Sequence, residues 1–425
     1  MSETERVMRA SPFPMIEPEE ATRLIFENVA APGPAETEEV KLAEGDGRIL
    51  AEDVYAGVDM PPFDTTAVDG YALLASDGQQ SRRIIGEQTA GRIVAPPVVP
   101  GTAVRIMTGA PMPPGADSVI MVEFTSERDG VLEVEKASGT GDNIRPRAQD
   151  LETGQLVLSA GTLIGPAEIG LIATVNRPTF KAYRRPRIAV VSTGDEIVEP
   201  GNEAGPGQIY DSNRFSIMSA LRRAYADPVS LGIAPDTEAG LRSLIHDALA
   251  NYDGLITSGG VSVGKLDLVK DLLEEIGTIH FGRVNLKPGK PLTFVTVRSE
   301  GRDKPVFGLP GFPVSSLVSF ELFVRPAILK LGGRTRLQRP VVQVQLEHDV
   351  KHSPDRNEFV RAIVSEQYDG QAQAYRYSAR TTGAQNSSRL LSMLGANALL
   401  RLAPGESLIK AGSYVPALLI DRPEV

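Results

Sequence analysis

GLITSGGVSVGKLD, residues 254–267, is a short apolar run that ends on a serine and passes at once into a pair of glycines. Gly254 to Thr257 has the length and continuity of a strand buried on both faces, and Gly259-Gly260 gives the backbone freedom to turn sharply out of it. Three more runs of this kind lie on either side: Ile188 to Ser192, Val229 to Ile233 and Val306 to Leu309. Helical patterns separate them. Phe215, Met218, Leu221 and Tyr225 recur at i, i+3, i+6 and i+10. Leu241, Leu244, Ile245, Ala248 and Leu249 form a second apolar face, and Leu268, Val269, Leu272, Leu273 and Ile276 a third. Asp211 and Asp236 stand where helix N-caps belong. Strands alternating with helices at this spacing predict an α/β domain over 184–334, a doubly wound parallel sheet with helices on its faces.

The flanking sequence has a different texture. Residues 54–150 are rich in Pro and Gly and broken into short β-prone pieces such as RRIIGE (82–87) and AVRIMT (103–108), which predicts a separate β-rich domain. A helical pattern over Ala167 to Val175, set among polar connections, makes 151–183 a connecting domain that 15–53 completes. From 335 to 425, the alternating PVVQVQLEHDV (340–350), a hairpin turn at Asp369-Gly370 and a terminal SYVPALLI (413–420) predict a small β-barrel. Several domains suit a chain of 425 residues, which is longer than one hydrophobic core sustains.

Composition narrows the chemistry. No run approaches the ~18 apolar residues of a spanning helix, and the opening MSETERVMRASPFP has no signal-peptide apolar core, so a cytoplasmic protein is expected. A formal charge of −10 argues against nucleic acid or membrane surfaces as general partners. The chain has no cysteine, and its 4 histidines lack HExxH-type spacing. Thiolate catalysis and cysteine-ligated metal sites are thereby excluded, and a metal held by protein atoms alone must sit on oxygen.

In an open parallel sheet, ligands bind beyond the carboxyl ends of the strands, where helix N-termini and loop amides converge. That puts four loops on one rim: TGDE with Asp195 and Glu196, Asp236, SGGVSVGKLD, and LPGFPVS (309–315). Gly259 and Gly260 let backbone amides approach an anion, and Ser258 and Ser262 add hydroxyls. Asp267 falls near the start of the next helix, where a carboxylate suits the dipole even without a function. LKPGKP (286–291) holds Lys287 and Lys290 around a Pro-Gly turn. One loop lysine is ordinarily just solvated; two beside a glycine-rich anion loop point to a bound oxyanion. Acids and lysines gathered at one crevice contribute little to stability, whereas they suit a hard cation bridging a phosphorylated ligand. Magnesium takes one or two carboxylates plus phosphate oxygens and keeps several waters, so it fits. Elsewhere, VDMPPFDTTAVDGYAL (58–73) interleaves Asp59, Asp64 and Asp69 with Pro and Phe, and reads equally as a series of Asp-stabilised turns. MTGAPMPPGAD (107–117) reads as a plain loop, and Arg145, Arg147 and Asp150 of RPRAQD as a surface ion-pair cluster.

In order along the chain come PPFDTTAVDGYA (61–72), RIMTGAPMPPGAD (105–117), NIRPRAQD (143–150), STGDE (192–196), GQIYDSN (207–213), SGGVSVGKLD (258–267), LKPGKP and LPGFPVS. This series resembles the motifs of the molybdopterin molybdenumtransferases, the family that includes the gephyrin E-domain, over nearly the whole chain. NALLRLAPGES (397–407) resembles the family's last domain. The resemblance implies a transferase of molybdenum cofactor biosynthesis, which inserts molybdenum from molybdate into adenylylated molybdopterin and releases AMP with Mg2+ present. Soft ligands for molybdenum then come from the pterin dithiolene, which makes a chain without cysteine intelligible. By motif position, the resemblance assigns Asp69, Thr108, Glu196, Asp236 and Asp267 to catalysis, with Asp267 and Glu196 on the magnesium. It assigns Asp150, Ser258, Gly259, Gly260, Ser262, Arg283, Lys287, Lys290, Pro310 and Pro313 to substrate binding. It also implies a homodimer in which the β-rich domain of one subunit faces the α/β crevice of the other, with a molybdopterin adenylyltransferase and acceptor molybdoenzymes as further partners.

Phe312 stands where Asn is common in that family, and Lys265-Leu266 where Glu-Ala is frequent; both changes bear on which metal is taken. A tungsten-inserting paralogue shares all of this chemistry. The adenylyltransferase that prepares the substrate differs in reading GGTG for GGVSVG and in lacking large flanking domains. A non-catalytic scaffold on the same fold has no need of Asp69, Asp267, Lys287 and Lys290 together.

Overall fold

The computed structural model describes residues 13–92, 95–234, 237–259 and 268–424. Two compact units divide the chain, with boundaries after Glu38 and after Ala182. The unit that follows Ala182 holds a six-stranded sheet in the spatial order Asp227–Ile233, Arg187–Ser192, Gly254–Ser258, Arg302–Leu309, Thr293–Ser299, Thr278–Phe281. The first four strands run parallel, as expected. The last two return antiparallel, an edge beyond the four expected runs.

Alternate residues of one strand serve two cores. Ile188 and Val190 share a cluster with Ile217, Leu221, Ile256, Phe307 and Val318, while Ala189 and Val191 share another with Leu241, Ile245, Leu255, Leu272 and Leu273. Burial on both faces is why these strands read as unbroken apolar runs. The helices Asn213–Arg223, Glu238–Asn251 and Leu268–Ile276 are those the periodicity predicts.

Three local expectations change. In Asn213–Arg223 the buried stripe is Arg214, Ile217 and Leu221, and Phe215 is 47% exposed. Arg214 turns inward because Asp211 Oδ2 and Ser230 Oγ accept its guanidinium protons at 2.8 and 2.5 Å, and the guanidinium lies over the Phe215 ring. Asp211 does serve the helix start, its Oδ1 accepting the Arg214 N–H, and the next helix is capped by Thr237, which accepts from the Gly240 N–H, while Asp236 lies outside the described residues. Pro18–Asn28 forms a helix that packs through Ala21 and Ile25 into the core of the parallel sheet. The N-terminal segment therefore lies with the α/β domain, not with 39–53 as a connecting domain of 15–53 would require.

The C-terminal strands Val341–Leu346, Asn357–Asp369, Ala374–Thr381, Ala398–Leu402 and Tyr414–Leu419 form a closed barrel. Closure follows from the long strand Asn357–Asp369, which pairs with Ala374–Thr381 along one half and with Ala398–Leu402 along the other. Val344, Val360, Val364, Leu400 and Val415 fill it. At the hairpin turn, Asp369 Oδ1 accepts the N–H groups of Gln371 and Ala372. Leu286–Lys287 adds itself parallel to Asn357 and Glu358, so LKPGKP is hydrogen-bonded to the barrel.

The unit Glu39–Ala182 holds a second six-stranded sheet, in the order Ser118–Met121, Gly70–Leu73, Thr102–Ile106, Arg82–Gln88, Val131–Val134, Thr125–Arg128. RRIIGE and AVRIMT supply its Arg82–Gln88 and Thr102–Ile106 strands. A separate cluster around Val54, Ile164, Ile172 and Phe180 includes the helix Pro166–Thr174.

At the amino ends of the parallel strands, Asp253 (side chain 7% exposed) takes both Arg184 Nη groups at 2.5 and 2.6 Å, the Arg187 N–H at 2.8 Å and Arg302 at 3.1 Å. Burial pushes its carboxyl up, but these bonds and charges outweigh burial and hold it below the usual carboxylate range. A carboxyl depressed in the folded state contributes stability above its unfolded pKa and loses it as pH falls through the folded value. Asp253→Ala should therefore destabilise the protein at pH 7 by about 3 kcal/mol. Urea unfolding checks this, and the gap to wild type should narrow below about pH 4.

Candidate active site

Three of the expected loops meet at the carboxyl end of the parallel sheet. The Thr193 N–H donates to the Ser258 carbonyl and the Gly259 N–H to the Leu309 carbonyl, each at 3.0 Å. Gly259 has φ +91°, and a Cβ there would stand 2.7 Å from the Thr193 carbonyl oxygen, so the position admits only glycine. Asn213, the first residue of its helix, staples two loops: Nδ2 donates to Ser258 Oγ at 2.8 Å and to the Gly311 carbonyl at 2.7 Å. Asn213 is absent from the residues the sequence singles out, although GQIYDSN carries it to the rim. Glu196 is exposed there, its carboxylate folded back against Gly194. Asp236, Gly260, Ser262 and Asp267 lie outside the described residues.

LKPGKP reaches the same region by packing on the segment that follows LPGFP. Gly289 has φ +112°, and a Cβ there would meet Ser319 Oγ at 2.5 Å. Pro310 is buried, Phe312 is 60% exposed, and Pro313 opens the helix Pro313–Ser319, whose Val314 N–H donates to the Ser387 carbonyl of the barrel. Lys287 is not merely solvated: its Nζ lies 3.2 Å from Oε2 of Glu358. Lys290 and Arg283 are half-buried, and their side chains make no ion pair with the described residues.

One cation of the barrel escaped the sequence reading. Arg361 is fully buried; its Nε donates to Ser392 Oγ at 3.2 Å and one Nη to the Asn386 carbonyl at 3.4 Å, while Nη1 has no partner among the described residues. Burial pushes its pKa down to about 10, against the opposing pull of the Glu358 charge. A buried guanidinium with a spare N–H is suited to an anion. The available signal was the pair of charges, Glu358 and Arg361, inside the otherwise apolar EFVRAIV.

In the unit Glu39–Ala182 three motif loops are stitched together by backbone bonds from Thr66 to Ala110, Gly109 to Thr66 and Ala67 to Asn143. Asp69 Oδ1 accepts both the backbone N–H and the hydroxyl of Thr108, at 2.7 and 2.8 Å, and those bonds hold its carboxyl below the usual range. Asp59 is held at about 2 by Thr153 and Arg147, and Asp64 accepts the Arg147 N–H. Rather than making turns within their own loop, both carboxylates tie it to the distant segment that carries Arg147 and Thr153. Asp150 pairs with Arg145 at 2.6 Å on the surface.

Family models match the chain at residues 16–176 (MoeA N-terminal region, domain I and II), 189–330 ("Probable molybdopterin binding domain") and 343–420 (MoeA C-terminal region, domain IV). The molybdopterin molybdenumtransferase of Haemophilus influenzae is 35% identical over 388 residues, covering 90% of this chain and 94% of that protein. The chain belongs to the molybdopterin molybdenumtransferase family. The Nostoc sp. member is 37% identical over 392 residues, covering 90% of this chain and 88% of its own. Gephyrin of Dictyostelium discoideum is 37% identical over 458 residues and 97% of this chain, which spans 63% of gephyrin's length. The crystal structure of the molybdopterin biosynthesis MoeA protein from Pyrococcus horikosii matches with a TM-score of 0.78 at 30% identity, over 96% of this chain and 100% of that one. The family fold thus accounts for the α/β sheet, the barrel and the β-rich unit alike.

The rim's geometry separates its two glycines. Gly259→Ala forces a left-handed backbone on alanine and a collision with Thr193, and should destabilise the protein by about 1–3 kcal/mol. Gly311→Ala, whose Cβ would meet only Gly259 Cα at 4.0 Å, should leave stability near wild type. Calorimetric melting of both variants distinguishes the two positions.

Proposed function

We propose that this transferase inserts molybdenum from molybdate into adenylylated molybdopterin and releases AMP. The observation that carries the reading is a glycine loop suited to phosphate, pinned by Asn213, with Lys287 and Arg361 anchored near the adjoining LPGFP segment. Ser258, Gly259, Gly260 and Ser262 hold the adenylyl phosphate through hydroxyls and backbone amides. Lys287, Lys290 and Arg361 take the oxyanion, while Pro310 and Pro313 shape the loop against which the pterin lies. Arg283 and Asp150 complete the substrate contacts.

Glu196 and Asp267 are assigned to magnesium, and Asp236 to catalysis. Glu196 fits: it is an exposed carboxylate, a hard oxygen donor, at the rim of a chain that has no cysteine thiolate. Bound Mg2+ supplies charge neutralisation at the phosphate oxygens. Asp69, kept ionised by Thr108, cannot donate a proton at neutral pH; it orients or accepts.

The two motif sets belong to separate units, and we infer that they combine in a homodimer, the Asp69–Thr108 pair of one subunit serving the crevice of its partner. An adenylyltransferase supplies the substrate, acceptor molybdoenzymes take the product, and the setting is the cytoplasm. No described helix is long and apolar enough to cross a membrane.

Lys287→Ala tests the assignment. Loss of one charge-assisted hydrogen bond should weaken oxyanion use by roughly one to two decades. AMP release should fall at limiting molybdate and recover in part as molybdate is raised, with half-saturation by the pterin unchanged. A rate that molybdate saturation fails to improve would overturn the role of the lysine.

A further inference from the structure

Lys287 does not await its oxyanion as a bare cation. It and Glu358 are direct partners in a parallel ladder, and its Nζ reaches Oε2 of Glu358 at 3.2 Å. The Glu358 side chain is 4% exposed and is fixed from behind by the Ser353 N–H, 2.6 Å from the same oxygen. One buried negative charge thus stands against a cation to which the oxyanion is assigned, and nothing in the reaction as read so far uses it.

We propose that Glu358 sets the oxyanion affinity of this pocket by acting as a built-in competing anion for Lys287. The inference rests on the reading of Lys287 as an oxyanion ligand. A carboxylate on the lysine repels an incoming dianion and occupies one of the ammonium's hydrogen-bond donors, so molybdate is held less tightly than a bare cation would hold it. Such restraint suits a transfer enzyme. Binding that is equally strong before and during transfer lowers the half-saturating concentration without raising the maximal rate, and a weakly held oxyanion is more readily passed to the pterin sulfurs.

The opposite view is that Glu358 only props Lys287 in place. The two differ in sign. Glu358→Gln keeps the shape and an oxygen for the Ser353 N–H while removing the charge. Competition predicts that it tightens molybdate binding by roughly tenfold, since a like charge a few ångströms away is lost. A prop predicts weaker binding.

Isothermal titration of the full-length protein with sodium molybdate, without pterin, reads the affinity directly, and circular dichroism verifies the fold. Glu358→Asp, which keeps the charge but withdraws it by one methylene, provides a second arm: it should tighten binding, by less than the glutamine does. Unchanged or weakened binding in these folded variants, with Lys287→Ala weakened, overturns the competing-anion role alone. Unchanged molybdate affinity in Lys287→Ala overturns the oxyanion reading on which it depends. In turnover, Glu358→Gln should lower the half-saturating molybdate concentration without raising the maximal rate.

Discussion

Lys287 and Glu358 face each other across a parallel ladder only two residues long, where a loop of the α/β domain joins the long strand of the barrel. Backbone hydrogen bonds there do what a flexible lysine on a free loop could not, and fix where its charge sits. The barrel strand Asn357–Asp369 is itself held on two sides, by Ala374–Thr381 and Ala398–Leu402, so its first residues have little freedom. From that strand come Glu358 and Arg361, and from the loop after Ala374–Thr381 comes the Ser387 carbonyl that receives the Val314 N–H of the LPGFP helix. A cation position in the α/β domain thereby depends on the closure of a barrel more than sixty residues later in the chain.

The rim shows the same economy with side chains. Asn213 spends both protons of its amide on two loops that belong to different strands, and Gly259 accepts the backbone geometry that brings its N–H to Leu309. In the other unit, Thr108 takes the part of a fixed double donor, which leaves Asp69 ionised. Neither arrangement needs a thiolate or a histidine, in keeping with a reaction whose soft ligands are brought by the substrate.

The four parallel strands and the three covering helices were legible because burial on two faces leaves continuous apolar runs, and periodicity survives in the helices between them. The antiparallel edge, Thr278–Phe281 and Thr293–Ser299, was not, since the lysine turn interrupts it and its pairing is with a strand read for another purpose. Phe215 was expected inside on hydrophobicity alone; Arg214 took that place because Asp211 and Ser230 satisfy it, and the partner from Ser230 is not visible from local pattern. Asn213 and Arg361 went unseen for a related reason. Their roles rest on Ser258, Gly311, Ser392 and Asn386, which only the fold brings to them. Gly259, Lys287 and Asp69 were legible as residues, but the partners that define what they can do, Thr193, Glu358 and Thr108, were not legible as partners.

The coupling of phosphate-ester cleavage to metal transfer is most directly measured by its stoichiometry. The purified protein, given adenylylated molybdopterin, Mg2+ and molybdate, would be assayed for AMP by chromatography and for molybdenum on the pterin by mass spectrometry. AMP release and molybdenum incorporation are expected to rise together, in equal amounts, and to respond together to molybdate. AMP released with the pterin left free of metal, or molybdenum incorporated with the adenylyl group still attached, would contradict it.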